Sequence, residues 1–136
     1  MSAITLSPYI NFQGKTREAL EFYQRALGGE LTLYAMDEKG AVKPAGQDDR
    51  IGMGWLKAEG VTIVASDGHP KFPPTVGDNM AINLSGTDRE RLAQAVTALT
   101  EGGKLKSPLR PQPWGGEAAF LEDQFGVTWM VTVEPA

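Results

Sequence analysis

The alternation of apolar and polar residues in the first half of the chain predicts four strands. In the first strand Tyr9 and Asn11 share one face, and Ile10 and Phe12 share the other, because side chains alternate along a strand. The polar stretch Asp37–Arg50 contains glycine and proline and is predicted to be a mobile loop. The predicted strands are Ser7–Phe12, Leu31–Met36, Ile51–Ala58 and Val61–Ser66.

Apolar residues at helical spacing predict a helix at Thr16–Leu27, between the first two strands. Leu20 and Tyr23 lie on its apolar stripe, and Thr16 is a candidate N-cap. Gly28 or Gly29 can take the left-handed position that ends a helix. The first half of the chain is therefore predicted to be a β-α-β-β-β module.

The second half repeats this order of elements. Thr87 and Glu90 match a capping box at the start of a helix. Leu92, Val96 and Leu99 then recur on one helical face. The strands predicted around this helix are Asn79–Leu84, Leu105–Leu109, Ala118–Leu121 and Val127–Val133.

Matching short segments indicate that one structural unit occurs twice. Three pairs appear in the same order, and this argues against coincidence. They are Ile10–Gly14 with Ile82–Gly86, Gly28-Gly29 with Gly102-Gly103, and Gly60–Thr62 with Gly126–Thr128. Their separations are 72 (82 − 10), 74 (102 − 28) and 66 (126 − 60) residues, and the larger second value predicts a second helix about two residues longer.

The predicted organisation is one domain, residues 1–136, that contains two modules. Residues 7–68 form the first module and 79–135 the second. The linker 69–78 is rich in proline and glycine, which disfavour regular structure.

Composition narrows the classes of function. The net charge is −4 and lysine and arginine do not cluster, so a nucleic-acid partner is not expected. The apolar runs are too short to span a bilayer, and the first eight residues lack the features of a secretory signal. Cysteine is absent, which excludes disulfides and thiolate chemistry. These features predict a cytoplasmic protein that does not associate with membranes.

Several motifs resemble the vicinal oxygen chelate superfamily, which includes glyoxalase I, bleomycin resistance proteins and extradiol dioxygenases, and within it the PhnB-like proteins. The similar segments are Pro8–Phe12, Arg17–Tyr23, Leu27–Glu30, Ser66–Gly68, Trp114-Gly115 and Asp123–Trp129. The resemblance implies an α+β fold in which two tandem β-α-β-β-β modules form a cup-shaped mixed sheet with helices outside. It also implies a homodimer.

The resemblance places four metal-ligand positions on the first and last strands of the two modules. The residues there are Ser7, Val64, Asn79 and Met130. None is the histidine, glutamine or glutamate of metal-using relatives, and neutral or thioether groups bind hard divalent ions weakly. We therefore expect no metal ion. Some PhnB-like relatives carry a methyltransferase-like label, but no glycine-rich nucleotide loop follows the first strand, and no cofactor is expected.

The side of the sheets that carries these positions is the predicted ligand site. Its candidate residues are Tyr9, Asn11, Met53, Trp55, Thr62, Ser66, Asn83, Phe120 and Met130. Asn11 and Asn83 either orient a ligand or hydrogen-bond to each other and tie the modules together. Trp114 is a candidate lid, interface anchor or core residue.

Three hypotheses of function follow. The first is a metal-independent protein that binds a small hydrophobic or amphipathic molecule. The second is a lyase or isomerase that acts on a small carbonyl or phosphonate compound, with Tyr9, Asp67 or His69 as acid or base. The alternative for His69, the only histidine, is a solvated loop residue without a catalytic role. The third is a structural dimer without a ligand.

Overall fold

Two mixed β-sheets, each accompanied by one helix, make up the part of the chain that the structure describes. The computed structural model describes residues 4–36 and 39–135. The chain divides between Thr75 and Val76 into two units. The first unit contains β1 (Tyr9–Asn11), α1 (Thr16–Leu27), β2 (Glu30–Met36), β3 (Val42–Pro44), β4 (Ile51–Ala58) and β5 (Val61–Ser66). The second contains β6 (Ile82–Gly86), α2 (Arg89–Thr100), β7 (Lys104–Pro111), β8 (Glu117–Glu122) and β9 (Thr128–Val133).

Apart from the extra edge strand β3, the two sheets have the same strand order. This shared order is consistent with the matching segments of the sequence. The first sheet has the order β1-β5-β4-β2-β3, and the second has the order β6-β9-β8-β7. In each, the first and last strands of the module pair in parallel, and the other pairs are antiparallel. The α+β class and the doubled arrangement of elements predicted from sequence are therefore confirmed.

Helix α1 has the predicted bounds, but its predicted cap is wrong. Lys15 occupies the N-cap position, and its side chain makes no capping bond. Thr16 begins the helix; its backbone N–H donates to Asp67 Oδ1 at 3.0 Å, while its buried hydroxyl has no hydrogen-bond partner. Gly28 and Gly29 have φ of 77° and 104°, which favour glycine, but the ψ of −171° at Gly28 is not that of a left-handed helical cap.

Helix α2 also has a cap that differs from the predicted one. Asp88, rather than Thr87, is the N-cap, and its side chain accepts from the Arg91 N–H at 3.2 Å. Both helices contain 12 residues, so the predicted longer second helix is wrong. Arg89 binds Glu117 at the start of β8 through two hydrogen bonds, and these bonds lower the pKa of that carboxyl.

The predicted loop before β4 contains a short strand, so the prediction of a pure loop is wrong. Residues Val42–Pro44 form β3, which pairs with β2 and lies at the sheet edge, where proline is tolerated. Residues 37 and 38 of this predicted loop lie outside the described residues.

Each core lies between a helix and one face of its own sheet. In the first unit, Leu20 of α1 packs against β4 where Gly54 leaves space, since a Cβ on Gly54 would lie 2.7 Å from Leu20 Cδ1. Tyr23 of α1 is fully buried beside Phe12. In the second unit the core includes Leu99 and Trp129, which are 0% and 1% exposed. The opposite face of each sheet points away from its helix and is called the open face.

Candidate ligand site

A row of residue partners crosses the open face of the first sheet. Tyr9 pairs with Val64, Val64 with Trp55, and Trp55 with Thr32. Partners in neighbouring strands point to the same side of a sheet. The sequence therefore placed Tyr9 and Trp55 correctly on one face. Four strands of the first unit contribute to that face.

A groove lies on this face over strands β2 and β4. Its volume is about 390 Å³, and its lining residues are Glu30, Thr32, Tyr34, Trp55 and Lys57. The rings of Tyr34 and Trp55 meet edge to face, with centroids 5.8 Å apart and an interplanar angle of 81°. This volume lies within the range of about 300–1,000 Å³ typical of small-molecule sites.

Sequence reasoning identified Trp55 in this groove and missed its other four lining residues. Leu33 of β2 faces the helix side, since a Cβ on Gly54 would lie 2.9 Å from Leu33 Cδ2, and Leu31 shares this face because side chains alternate along a strand. The alternation of side chains along a strand, which placed Tyr9 on the open face, would also have placed Glu30, Thr32 and Tyr34 there. It was not applied to these three residues. Met53 pairs with Tyr34 and belongs to the same face.

Tyr9, Ser66 and Asn11 form a polar cluster at the β1 edge of the sheet. The Tyr9 hydroxyl hydrogen-bonds to Ser66 Oγ, which also accepts from the Gly68 N–H at 3.1 Å. Asn11 pairs with Ser66, and Asn11 Oδ1 accepts from the Gln13 N–H at 2.9 Å. Ser66 is buried, whereas Tyr9 is 55% exposed. A phenol group thus lies at an accessible position beside the open face.

Thr62 completes the predicted ligand residues of the first unit. It pairs with Lys57, and it lies on β5 two residues before Val64. Thr62 and Val64 are half-buried on the open face. Thr62 therefore borders the groove on its β5 side.

Asp67 has a structural position rather than an open one. It is 5% exposed, and its two carboxylate oxygens accept from the Thr16 N–H at 3.0 Å and the Ile51 N–H at 2.8 Å. Arg50 donates to the Asp67 backbone carbonyl at 2.7 Å. With both oxygens engaged by backbone donors, this carboxylate holds the start of α1 against the start of β4.

His69 lies in the linker after β5 and is exposed. Its Nδ1 accepts from the Lys71 N–H at 3.1 Å, and its ring packs against Phe72 at 5.6 Å between centroids. An Nδ1 that accepts a hydrogen bond leaves the ring proton on Nε2. These contacts shape the local turn.

The second sheet has an equivalent row on its own open face. Asn83 pairs with Met130, Met130 with Phe120, and Phe120 with Ser107. Asn83 Oδ1 accepts from the Thr132 hydroxyl at 2.9 Å. The three residues predicted as ligand contacts in this half thus share one face of the second unit.

Comparison of the two rows shows that the predicted register of the repeat is inconsistent by two residues. Val64 pairs with Tyr9, and Met130, its counterpart at a separation of 66, pairs with Asn83, which makes Tyr9 and Asn83 equivalent at a separation of 74 (83 − 9). The predicted separations of 72 and 66 therefore cannot both hold. If 66 is kept, the corrected register makes Ala81 rather than Asn79 the counterpart of Ser7.

Neither the predicted nor the corrected register assigns a strong metal ligand. Ser7 and Asn79 lie outside the strands, and Val64 and Ala81 have no ligating side-chain atom. Met130 offers only a thioether, which is soft. Among residues 4–36 and 39–135, no group of three or more His, Cys, Asp or Glu side chains could hold a metal ion.

Trp114 lies on a tight loop between β7 and β8 and is 67% exposed, so the predicted alternative of a core residue is wrong. The Gly115 N–H donates to the Gln112 carbonyl, and the Gln112 N–H donates to the Gly116 carbonyl, each at 3.0 Å. The loop lies close to β9, since a Cβ on Gly116 would collide with the Val133 carbonyl oxygen. The loop thus presents Trp114 on a well-bonded turn.

Known proteins are similar to this chain in sequence and in fold. The structure of PA1353 from Pseudomonas aeruginosa is 32% identical, with a TM-score of 0.82, and the match covers 97% of this chain and 98% of that one. Protein YjdN of Escherichia coli is 28% identical over 94% of each chain. A member of the glyoxalase/bleomycin resistance protein/dioxygenase superfamily from Sphaerobacter thermophilus is 24% identical, with a TM-score of 0.62, and covers 98% of this chain and 99% of its own.

The fold is that of the Sphaerobacter thermophilus protein, a member of the glyoxalase/bleomycin resistance protein/dioxygenase superfamily. The sequence model of the family described as 3-demethylubiquinone-9 3-methyltransferase matches residues 4–132. The chain belongs to this family, which is the PhnB-like branch that the sequence motifs indicated.

The described residues do not supply the glycine-rich loop or the free helix-start amides expected for the nucleoside methyl donor that the family description suggests. Free backbone N–H groups at a helix start often bind the phosphate or carboxylate of a cofactor. Here the first amide of α1 donates to Asp67, and the side chain of Asp88 caps α2. The stretch between β1 and α1 contains Gly14 as its one glycine.

No helix among the described residues is long and apolar enough to cross a bilayer.

Proposed function

We propose that this protein binds a small hydrophobic or amphipathic molecule without a metal ion. The observation that carries the proposal is the groove of about 390 Å³ on the open face of the first sheet, lined by the Tyr34–Trp55 aromatic pair and by polar groups. Small-molecule sites combine aromatic surface with a few polar groups in this way. Tyr9, Thr62 and Ser66 border the same face and supply further polar contacts.

Donor chemistry supports binding without a metal ion. The superfamily ligand positions contain Ser7, Val64, Met130 and either Asn79 or Ala81. A divalent ion there would have no carboxylate to offset its charge and no imidazole nitrogen. The ligand would then be held by contacts with the protein alone.

A thermal-shift screen of aromatic and antibiotic-like compounds, with EDTA present, tests the proposal. A compound at about 100 times its Kd stabilises the native state by about 2.7 kcal/mol, and for a chain of this size this corresponds to a rise in Tm of several degrees. We expect Trp55→Ala to abolish the shift, because it removes the central ring of the groove. Trp55→Phe retains a ring there and should retain part of the shift.

Phe72→Ala is the control for loss of an aromatic side chain, because Phe72 lies in the linker and is 75% exposed. Binding that survives Trp55→Ala would place the site elsewhere. A shift that disappears with EDTA and returns with zinc, nickel, manganese or iron would contradict metal independence. If no compound shifts the wild-type Tm, the protein is better described as structural and without a ligand.

A lyase or isomerase activity is the second candidate, and the accessible Tyr9 hydroxyl beside Ser66 is the observation that favours it. A phenol in this position could donate a proton to a substrate oxygen on the open face. Turnover that is lost in Tyr9→Phe while ligand binding persists would favour this candidate. Asp67 and His69 are weaker as acid–base groups, because their hydrogen bonds serve the local fold.

We also propose that the protein acts as a homodimer in the cytoplasm. Several large apolar side chains are strongly exposed in the single chain, and such residues often mark a protein interface. The most exposed are Ile4, Leu6 and Met80, at 89%, 98% and 80%.

Sedimentation equilibrium is expected to give twice the chain mass of 14.7 kDa. Leu6→Asp and Met80→Asp should shift the equilibrium towards the monomer, because each would bury an unpaired charge in the interface. Val42→Asp, on the edge strand β3, is the control and should leave the mass unchanged. A wild-type protein that sediments as a monomer at micromolar concentration would refute the dimer.

A further inference from the structure

Two opposite charges lie side by side at one end of the groove. Glu30 on β2 and Lys57 on β4 are register partners, and both line the groove. Both residues are exposed. No ion pair joins these two described side chains, although oppositely charged partners across a strand pair commonly attract. Both charged groups are therefore available to a ligand.

The character of the groove changes along the strands. Glu30 and Lys57 form one end, Thr32 and Trp55 are the next pair, and Tyr34 and Met53 follow. The groove therefore has a charged end with both signs and an aromatic end. A molecule that fits both ends must combine a ring with polar groups.

We infer that the ligand of this groove is a planar ring compound with a short side chain that carries both an ammonium and a carboxylate group. This inference rests on the proposed function. The ring packs on Trp55 and Tyr34, the ammonium group binds Glu30, and the carboxylate binds Lys57. Charge-assisted hydrogen bonds of this kind are stronger than neutral ones.

A ligand with a single charge fits this end of the groove less well. An ammonium group beside Glu30 is repelled by Lys57, whose Cβ lies about 5 Å from that of its register partner in an antiparallel pair. A carboxylate beside Lys57 is repelled by Glu30 for the same reason. A zwitterion satisfies both protein charges and leaves neither unpaired.

The equivalent pair in the second sheet differs in a way that supports this assignment. Lys104 is the register partner of Glu122, so the signs are exchanged between the two strands. Glu122 already pairs with Lys106, at 4.0 Å between Nζ and Oε1. The combination of an aromatic pair with two unpaired opposite charges therefore belongs to the groove of the first unit.

Calorimetric titration with three indole compounds tests the inference. L-tryptophan carries both charges, tryptamine carries only the ammonium group, and indole-3-propionate carries only the carboxylate. We expect L-tryptophan to bind wild-type protein at least about tenfold more tightly than either of the others, as one additional charge-assisted hydrogen bond implies.

Charge variants assign the contacts to their residues. Glu30→Gln and Lys57→Met should each weaken L-tryptophan binding about tenfold or more. The double variant Glu30→Lys, Lys57→Glu should restore most of the binding, because a zwitterion can reverse the positions of its two charged groups. Glu122→Gln in the second sheet is the matched control and should bind as the wild type does.

Equal binding of all three indoles, absence of L-tryptophan binding, or insensitivity of that binding to both single variants would overturn the inference. These results leave the proposed function intact if another compound of the thermal-shift screen binds in a manner that depends on Trp55. If no compound of that screen binds, the proposed function fails as well. The two failures are thus distinguishable.

Discussion

Replacing Asp67 by asparagine is expected to lower the free energy of unfolding by about 3 kcal/mol, as measured by urea denaturation. The two carboxylate oxygens of Asp67 accept from the backbone N–H groups of Thr16 and Ile51. Asparagine retains one acceptor and turns an NH₂ group towards the second donor. A buried donor left without its partner costs about 1–3 kcal/mol, and the lost bond to a charged group adds to this.

Two controls separate this effect from a general loss of charge or of side-chain polarity. Asp78→Asn changes an exposed linker carboxylate and should leave stability unchanged within about 0.5 kcal/mol. Thr16→Val retains the N–H that Asp67 binds and removes a buried hydroxyl without a partner, so it should not destabilise the protein. An Asp67→Asn variant as stable as the wild type would refute the structural role of this carboxylate.

Loss of Asp123 is expected to have a similar or larger effect on the second unit. Asp123 is 2% exposed, and it accepts from the Phe125 N–H at 2.8 Å, the Val127 N–H at 3.0 Å and Trp129 Nε1 at 2.9 Å. Asp123→Ala removes three hydrogen bonds to a charged acceptor and should cost about 4 kcal/mol. Urea denaturation followed by circular dichroism provides the measurement.

A double-mutant cycle with Trp129→Phe isolates the bond between the two side chains. Asp123→Asn can keep its oxygen towards the backbone donors, and its NH₂ group then opposes the Trp129 N–H. This variant should cost about 2 kcal/mol in the wild-type background and less in the Trp129→Phe background, which removes that N–H. Equal costs in both backgrounds would contradict the assigned hydrogen bond.

The parts of the fold that local patterns determine could be predicted from the sequence. Helix α1 has its predicted bounds, since the apolar stripe and the glycine pair both lie within the segment itself. Strands β4 and β5 also have their predicted bounds, for the same reason. The caps of the helices differed from prediction, and the carboxylate that binds the first amide of α1 belongs to an aspartate 51 residues away, which no local pattern contains.

The strands at the start of each module were predicted less well. Strand β6 runs over Ile82–Gly86 instead of Asn79–Leu84, and the predicted repeat separations of 72 and 66 residues are inconsistent by two residues. A shift of two residues preserves the face of every side chain, so the predicted open-face residues stayed on one face. The charged end of the groove was missed because the predicted strand began at Leu31, so Glu30, the first residue of β2, was left out.

The two helices differ in when their caps can form. The N-cap aspartate of α2 directly precedes the helix, so that helix can be stabilised as soon as its own residues are present. The carboxylate that binds the first amide of α1 lies beyond β5, and closing a loop of this length has an entropic cost that a local cap avoids. During synthesis, the first amide of α1 therefore cannot bind Asp67 until most of the first unit has emerged, although α1 is made before α2.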